Sequence, residues 1–157
     1  MVDNQSQRLD HFAVAPDLFQ PMLEQENLLG QSGLEHRLIE LVKLRVSQIN
    51  GCAFCINMHW QKARAKGELE ERLYLLNVWR EASVYSAREA AALEWAEALT
   101  RIEISQAPDE VYAVVELNFS PPEQVALSLL ICAINSWNRI AIGFRMPHGI
   151  PEANQAA

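Results

Sequence analysis

The sequence predicts an all-α fold, a compact bundle of six or seven helices in a single domain over residues 1–157. Three observations carry that expectation. Ser32-Gly33-Leu34-Glu35, Ser86-Ala87-Arg88-Glu89 and Ser120-Pro121-Pro122-Glu123 each set a Ser three residues ahead of a Glu, before an apolar-periodic segment. A Ser hydroxyl in that position accepts from a free amide of the first turn while the Glu carboxylate accepts from the cap residue's own N–H, so the string marks a helix start. The apolar residues that follow recur with the period of a helix, and no segment alternates with the period of two that a half-buried strand requires.

In chain order, Leu18 to Leu29 forms the first periodic segment. Leu34, Leu38, Leu41, Val42, Val46 and Ile49 then fall on one side of a helix that ends at Asn50-Gly51. Gly67 closes the next, Ala53 to Lys66, because glycine takes the left-handed conformation that ends many helices. Glu70 to Trp79, Ala87 to Ile102 and Asp109 to Asn118 follow, and the last segment runs from Pro122 to about Arg145. The Ser120 string also puts a Pro directly after the cap, at the first helical position, where the missing N–H costs nothing. A Pro/Gly-punctuated tail, Pro147 to Ala157, is expected to be loosely ordered.

Composition narrows the function. A formal net charge of -7 disfavours nucleic-acid backbones and anionic membranes as partners, since a phosphate binder needs a concentrated positive field. Met1 to Gln7 is polar with no apolar stretch behind a basic start, so a cytoplasmic location is expected. The apolar run Val125 to Ile134 is interrupted beyond its end by Asn135, Asn138 and Arg139, short of the roughly 20 residues of a membrane span. Because it is apolar nearly all round, it must be covered on every side, by a core or by a second copy of the chain.

Cys52 and Cys55 stand three apart, and His59 follows one turn later. If Cys52 opens the helix after Gly51, the three side chains lie within roughly 60° of one another around the axis. The sulfurs can meet, and the imidazole can reach Cys55. A helix N-terminus, a neighbouring thiol and a proton-accepting His all favour the thiolate, the reactive form. The pattern suits a nucleophile with its base, and a second thiol able to resolve an oxidised intermediate into a disulfide. Zinc is the other chemistry these groups could serve, but a fourth ligand would have to come from Glu40 or His36.

The string from Glu40 through Cys52-Ala53-Phe54-Cys55 to His59 resembles the core of the alkyl hydroperoxidase D (AhpD) group within the carboxymuconolactone decarboxylase-like superfamily. A Glu stands twelve residues before a Cys-x-x-Cys, and a His four residues after it. The likeness is strongest over Leu38 to Gly67, the redox core being about 34–67, and Ser136-Trp137-Asn138-Arg139 with the helix before it looks like the group's C-terminal helix. The resemblance implies an all-helical, usually oligomeric protein with thiol-dependent peroxidase activity. Cys55 would be peroxidatic, Cys52 resolving, and Glu40 and His59 the proton relay. It implies a hydrogen peroxide or small organic hydroperoxide substrate, no cofactor, and a dithiol reductant that a lipoyl-bearing protein can supply. The superfamily's true decarboxylases lack the paired cysteines. Phe54 stands where some AhpD enzymes have a His.

Two other readings are open: a redox sensor that oxidises once without turnover, and a structural oligomer with vestigial cysteines. On its own helix Glu40 lies off the main apolar stripe, facing solvent, the Cys52 helix or a subunit contact. His11, His36 and His148 have no partner at meaningful spacing and are expected at the surface. Cys132 is expected in the core. Trp60, Trp79, Trp95 and Trp137 suit either the core or the wall of a substrate pocket. Asn138 and Arg139 suit an interface.

Overall fold

The computed structural model describes residues 6–148, and among these it contains helices and no strand. The elements are α1 (His11–Val14), α2 (Pro16–Gly30), α3 (His36–Asn50), α4 (Ala53–Ala65), α5 (Glu70–Leu75), α6 (Ala87–Thr100), α7 (Ile102–Ser105), α8 (Asp109–Asn118) and α9 (Pro121–Phe144), with a 3-10 turn, Leu76–Val78, after α5. The seven longer helices are those the periodicity marks. α1 and α7 are single turns, too short for apolar periodicity to reveal them. Of the tail expected to be loosely ordered, only Pro147 and His148 fall among the described residues.

Two of the three Ser/Glu strings cap helices. Ser86 accepts the Glu89 N–H and Glu89 accepts the Ser86 N–H in return, while Glu123 takes both the N–H and the hydroxyl of Ser120, each at 2.8 Å. The first string does not. Gly33 turns the chain through φ +89°, so α3 starts only at His36. The Ser32 hydroxyl instead donates to the Leu29 carbonyl at the end of α2, and Glu35 accepts from Arg88.

α3 is the central element, buried continuously from Leu38 to Ser47. Its apolar residues do not share one side. Leu38, Ile39, Val42 and Val46 enter a large core with α6, α8 and α9, while Leu41 and Leu44 enter a second one with Ala63, Leu73, Leu76, Trp79 and Leu93. α4 and α5 therefore cover what a stripe-based reading leaves to solvent.

α9 is 24 residues long, and by length and composition alone it could cross a membrane, although half of its most apolar window is buried inside the bundle. The buried half, from Ala126 to Ala141, packs on α2, α3 and α6. The other half leaves Val125, Leu129 and Ile142 exposed. Cys132 lies on this outer face and is exposed, contrary to the core position expected of it. His36 and His148 are exposed as expected, but His11 is only 3% exposed, with Phe12, Phe19 and Phe144 around its ring.

Candidate active site

The chain makes the site by reversing between α3 and α4. Gly51 takes φ +70° and closes α3: its N–H donates to the Gln48 carbonyl, and the Cys52 N–H donates to that of Ser47 at 3.0 Å. This paired closure is the Schellman arrangement, and glycine is the residue that adopts its left-handed position without strain. Cys52 is thereby the N-cap of α4, one step earlier than the first-turn position the spacing suggests. Its sulfur accepts the Cys55 N–H at 3.3 Å. The two cysteines are joined as a disulfide with Cα atoms 5.3 Å apart, and both are buried.

His59, one turn beyond Cys55, is 2% exposed, and its Nδ1 lies 2.8 Å from Oε2 of Glu40 on α3. Glu40 is 7% exposed. Of the three directions left open for it, the structure selects the Cys52 helix. Burial is the largest influence on both groups. It pushes the His59 pKa down, more than the Glu40 hydrogen bond and charge raise it, so the value lies below the ordinary 6.5. For Glu40, burial works upward, but the His59 hydrogen bond and the charges of His59, Lys43 and Lys62 bring the carboxyl below its ordinary range. At neutral pH the pair is therefore a carboxylate beside a neutral imidazole. A carboxylate can only accept, so the ring proton sits on Nδ1 and Nε2 carries the free lone pair.

Two cavities meet this site. One, of about 290 Å3, is lined by Cys55 and His59 together with Phe12, Leu23, Phe54, Met58 and Trp137. The other, of about 390 Å3, is lined by Cys52 with Gly51, Ala53, Arg145 and His148. Phe54, Ala141 and Met146 line both. Each cysteine thus lines a different cavity, and Phe54 belongs to the wall that the two share. Of the four tryptophans, Trp137 lines the Cys55 cavity, its indole N–H donating to Glu26 at 3.1 Å, while Trp79 and Trp95 are buried in the cores.

A buried polar cluster anchors the end of α3 just before the cysteines. Asn50 donates to the side-chain carbonyls of Asn135 and Asn138, both at 2.9 Å, and Asn138 donates to the Ser47 hydroxyl at 3.1 Å. Asn138 is thus interior rather than at an interface. The signal was present in the sequence: amides inside an apolar helix must find partners, because an unpaired buried amide is costly. Among the described residues, no group of three or more His, Cys, Asp or Glu side chains is arranged to hold a metal.

The sequence profile of the carboxymuconolactone decarboxylase family matches residues 16–98. YdfG, an uncharacterized protein of Bacillus subtilis (strain 168), is 45% identical over 137 residues, 87% of this chain and 93% of its own. A crystal structure of a protein of unknown function from Agrobacterium tumefaciens, proposed to be the antioxidant-defence protein AhpD, is 43% identical, with a TM-score of 0.90 over 92% of this chain and 99% of that one. The debrominase Bmp8 has a TM-score of 0.75 at 16% identity, over 90% of this chain and 77% of its own, a likeness of fold alone.

Proposed function

Since the chain belongs to the carboxymuconolactone decarboxylase family and is AhpD-like within it, we propose that it is a thiol-dependent peroxidase that reduces hydrogen peroxide or small organic hydroperoxides through a Cys52/Cys55 dithiol–disulfide cycle. The observation that supports this reading best is that Cys55 and a neutral, Glu40-held His59 line one cavity. Nε2 takes the Cys55 thiol proton, and the thiolate attacks the terminal oxygen of the hydroperoxide. The O–O bond breaks, the departing alkoxide takes the proton from His59, and Cys55 is left as a sulfenic acid. Cys52 then attacks the Cys55 sulfur, hydroxide leaves and is protonated to water, and the disulfide forms. An external dithiol resets the pair, and a lipoyl-bearing protein is the class of reductant that fits the family. Such a cycle belongs in a reducing compartment such as the cytoplasm.

Turnover is the test. Reduced protein mixed with cumene hydroperoxide and excess dithiothreitol is expected to consume many equivalents of peroxide. One equivalent and no more would make it a stoichiometric sensor, and no thiol loss would remove both readings.

We also propose that the chain self-associates. Val125, Leu129 and Ile142 on α9 and Leu28 on α2 are exposed, and a groove between these helices is lined by Met22, Leu28, Val125 and Leu129. Contiguous apolar surface of this kind on a soluble protein marks a contact site. Light scattering is expected to report a multiple of the 17.8 kDa chain, reduced toward one chain by Val125→Glu with Leu129→Glu. A monomeric parent protein would refute the proposal.

A further inference from the structure

The lining of the Cys55 cavity carries a charge pattern that the peroxide chemistry does not use. Its wall is mostly apolar: Phe12 from α1, Leu23 from α2, Phe54 and Met58 from α4, and Trp137 from α9. Four further lining residues can bear charge, namely Glu26, Lys43, His59 and Lys62. Lys43 is buried and ion-paired with Glu26, so those two cancel. His59 is held by Glu40. Lys62, one turn beyond Met58, has no ion-pair partner among the described residues and is exposed where it borders the cavity. The result is an exposed cation beside an apolar enclosure, with no carboxylate hydrogen-bonded to it among the described residues and with the buried Glu40 carboxylate, held by His59, as the opposite charge whose field reaches it, on a chain whose net charge is -7.

Resting on the peroxidase reading, we propose that the Cys55 cavity takes compact organic hydroperoxides that carry a carboxylate, the apolar wall holding the body and Lys62 meeting the acid group. Three features together define this class, setting it apart from long lipids, from hydrogen peroxide and from neutral alkyl hydroperoxides in turn. At about 290 Å3 the cavity lies at the small end of ligand sites, roughly 300–1,000 Å3, which suits a single ring or short chain and not a long lipid. Aromatic and thioether walls gain from an apolar body that hydrogen peroxide does not have. An exposed ammonium at the edge of such a pocket attracts an anion locally while the rest of the surface repels it. The reaction is the one already balanced: the terminal peroxide oxygen passes to Cys55, and the carboxylate is a handle that undergoes no change.

A matched pair of substrates isolates the handle. Cumene hydroperoxide and its para-carboxylate differ only in charge remote from the O–O bond. Oxidation of the reduced full-length chain by each is followed in a stopped-flow instrument by tryptophan fluorescence, and the ratio of second-order rate constants is taken. That ratio divides out any influence of Lys62 on Cys55 or His59 themselves. The parent protein is expected to prefer the carboxylate by about fivefold at low salt, falling with ionic strength, as for one partly exposed ion pair. Lys62→Gln should bring the ratio to about one, Lys62→Arg should keep it, and Lys62→Glu should invert it. A ratio of one in the parent protein, or a preference that survives Lys62→Gln, would overturn the proposal and leave the peroxidase reading intact. Failure of both hydroperoxides to oxidise Cys55 would remove the two together.

Discussion

Cys55→Ser is expected to lose all measurable reaction with hydroperoxide, whereas Cys52→Ser is expected to consume one equivalent and stop with a sulfenic acid at Cys55. The contrast follows from how the fold treats two sulfurs only three residues apart. Cys52, at the N-cap of α4, accepts the Cys55 amide and lies at the positive end of the helix, which favours its thiolate by about 0.3–1 kcal/mol. Cys55 lines the cavity that His59 also lines. A positioned base contributes about 10²–10⁴ in rate, well above the helix-end effect, so the sulfur that shares its cavity with the base is the one to attack peroxide. The helix end serves Cys52 in its other role, as the thiolate that closes the disulfide. Thiol titration and intact-mass analysis after one equivalent of cumene hydroperoxide separate the cases: an added oxygen on Cys52→Ser and none on Cys55→Ser. The reverse pattern would mean that peroxide enters by the Cys52 cavity, and the two roles would exchange.

How far the sequence reveals this site depends on the range of the forces involved. Gly51 and Gly67 mark helix ends because the left-handed backbone is a local demand, and Asp109–Asn118 is found at the bounds its apolar period suggests. Ser32 misleads for an equally local reason, the turn made by its neighbour Gly33. Cys132 and His11 are different. Whether an all-round apolar helix turns Cys132 inward depends on which side its neighbours cover, and of the three phenylalanines around His11 the one stacked on its ring, Phe144, is 133 residues away in sequence. Glu40 lies between these extremes. Its own helix places it off the apolar stripe, and only the spacing to Cys52 and His59, read with the family resemblance, points to the face that α4 covers. The Cys55 cavity draws on α1, α2, α3, α4 and α9, so no stretch of sequence contains its outline.

Glu40→Gln is expected to slow Cys55 oxidation by roughly 10² or more while leaving the cysteines able to form their disulfide. Two physical effects act in the same direction. The carboxylate can only accept from Nδ1, which reserves Nε2 for the thiol proton, but an amide can donate to Nδ1 and drive the ring proton onto Nε2, the wrong tautomer for a base. Glu40 also raises the His59 pKa against the larger lowering by burial, so its removal leaves a still weaker base. The pH profile carries the sign. In the parent protein the rate is high where His59 is neutral and falls as pH drops through its depressed pKa, below 6.5. In Glu40→Gln that acid limb moves to lower pH and the plateau falls. His59→Ala has no such limb; its rate climbs with pH as Cys55 ionises unaided, toward the ordinary thiol value of about 8.5. Stability follows the same sign. Both pKa values are depressed in the folded chain, so the pair's contribution is present above the ordinary values, 6.5 and 4.5, and is lost as pH falls through the lowered ones. Stopped-flow oxidation rates from pH 4 to 10 on the three proteins test the relay, and alkaline recovery in His59→Ala is the decisive arm. A His59→Ala rate that stays low at high pH would show that the imidazole does something other than accept the thiol proton.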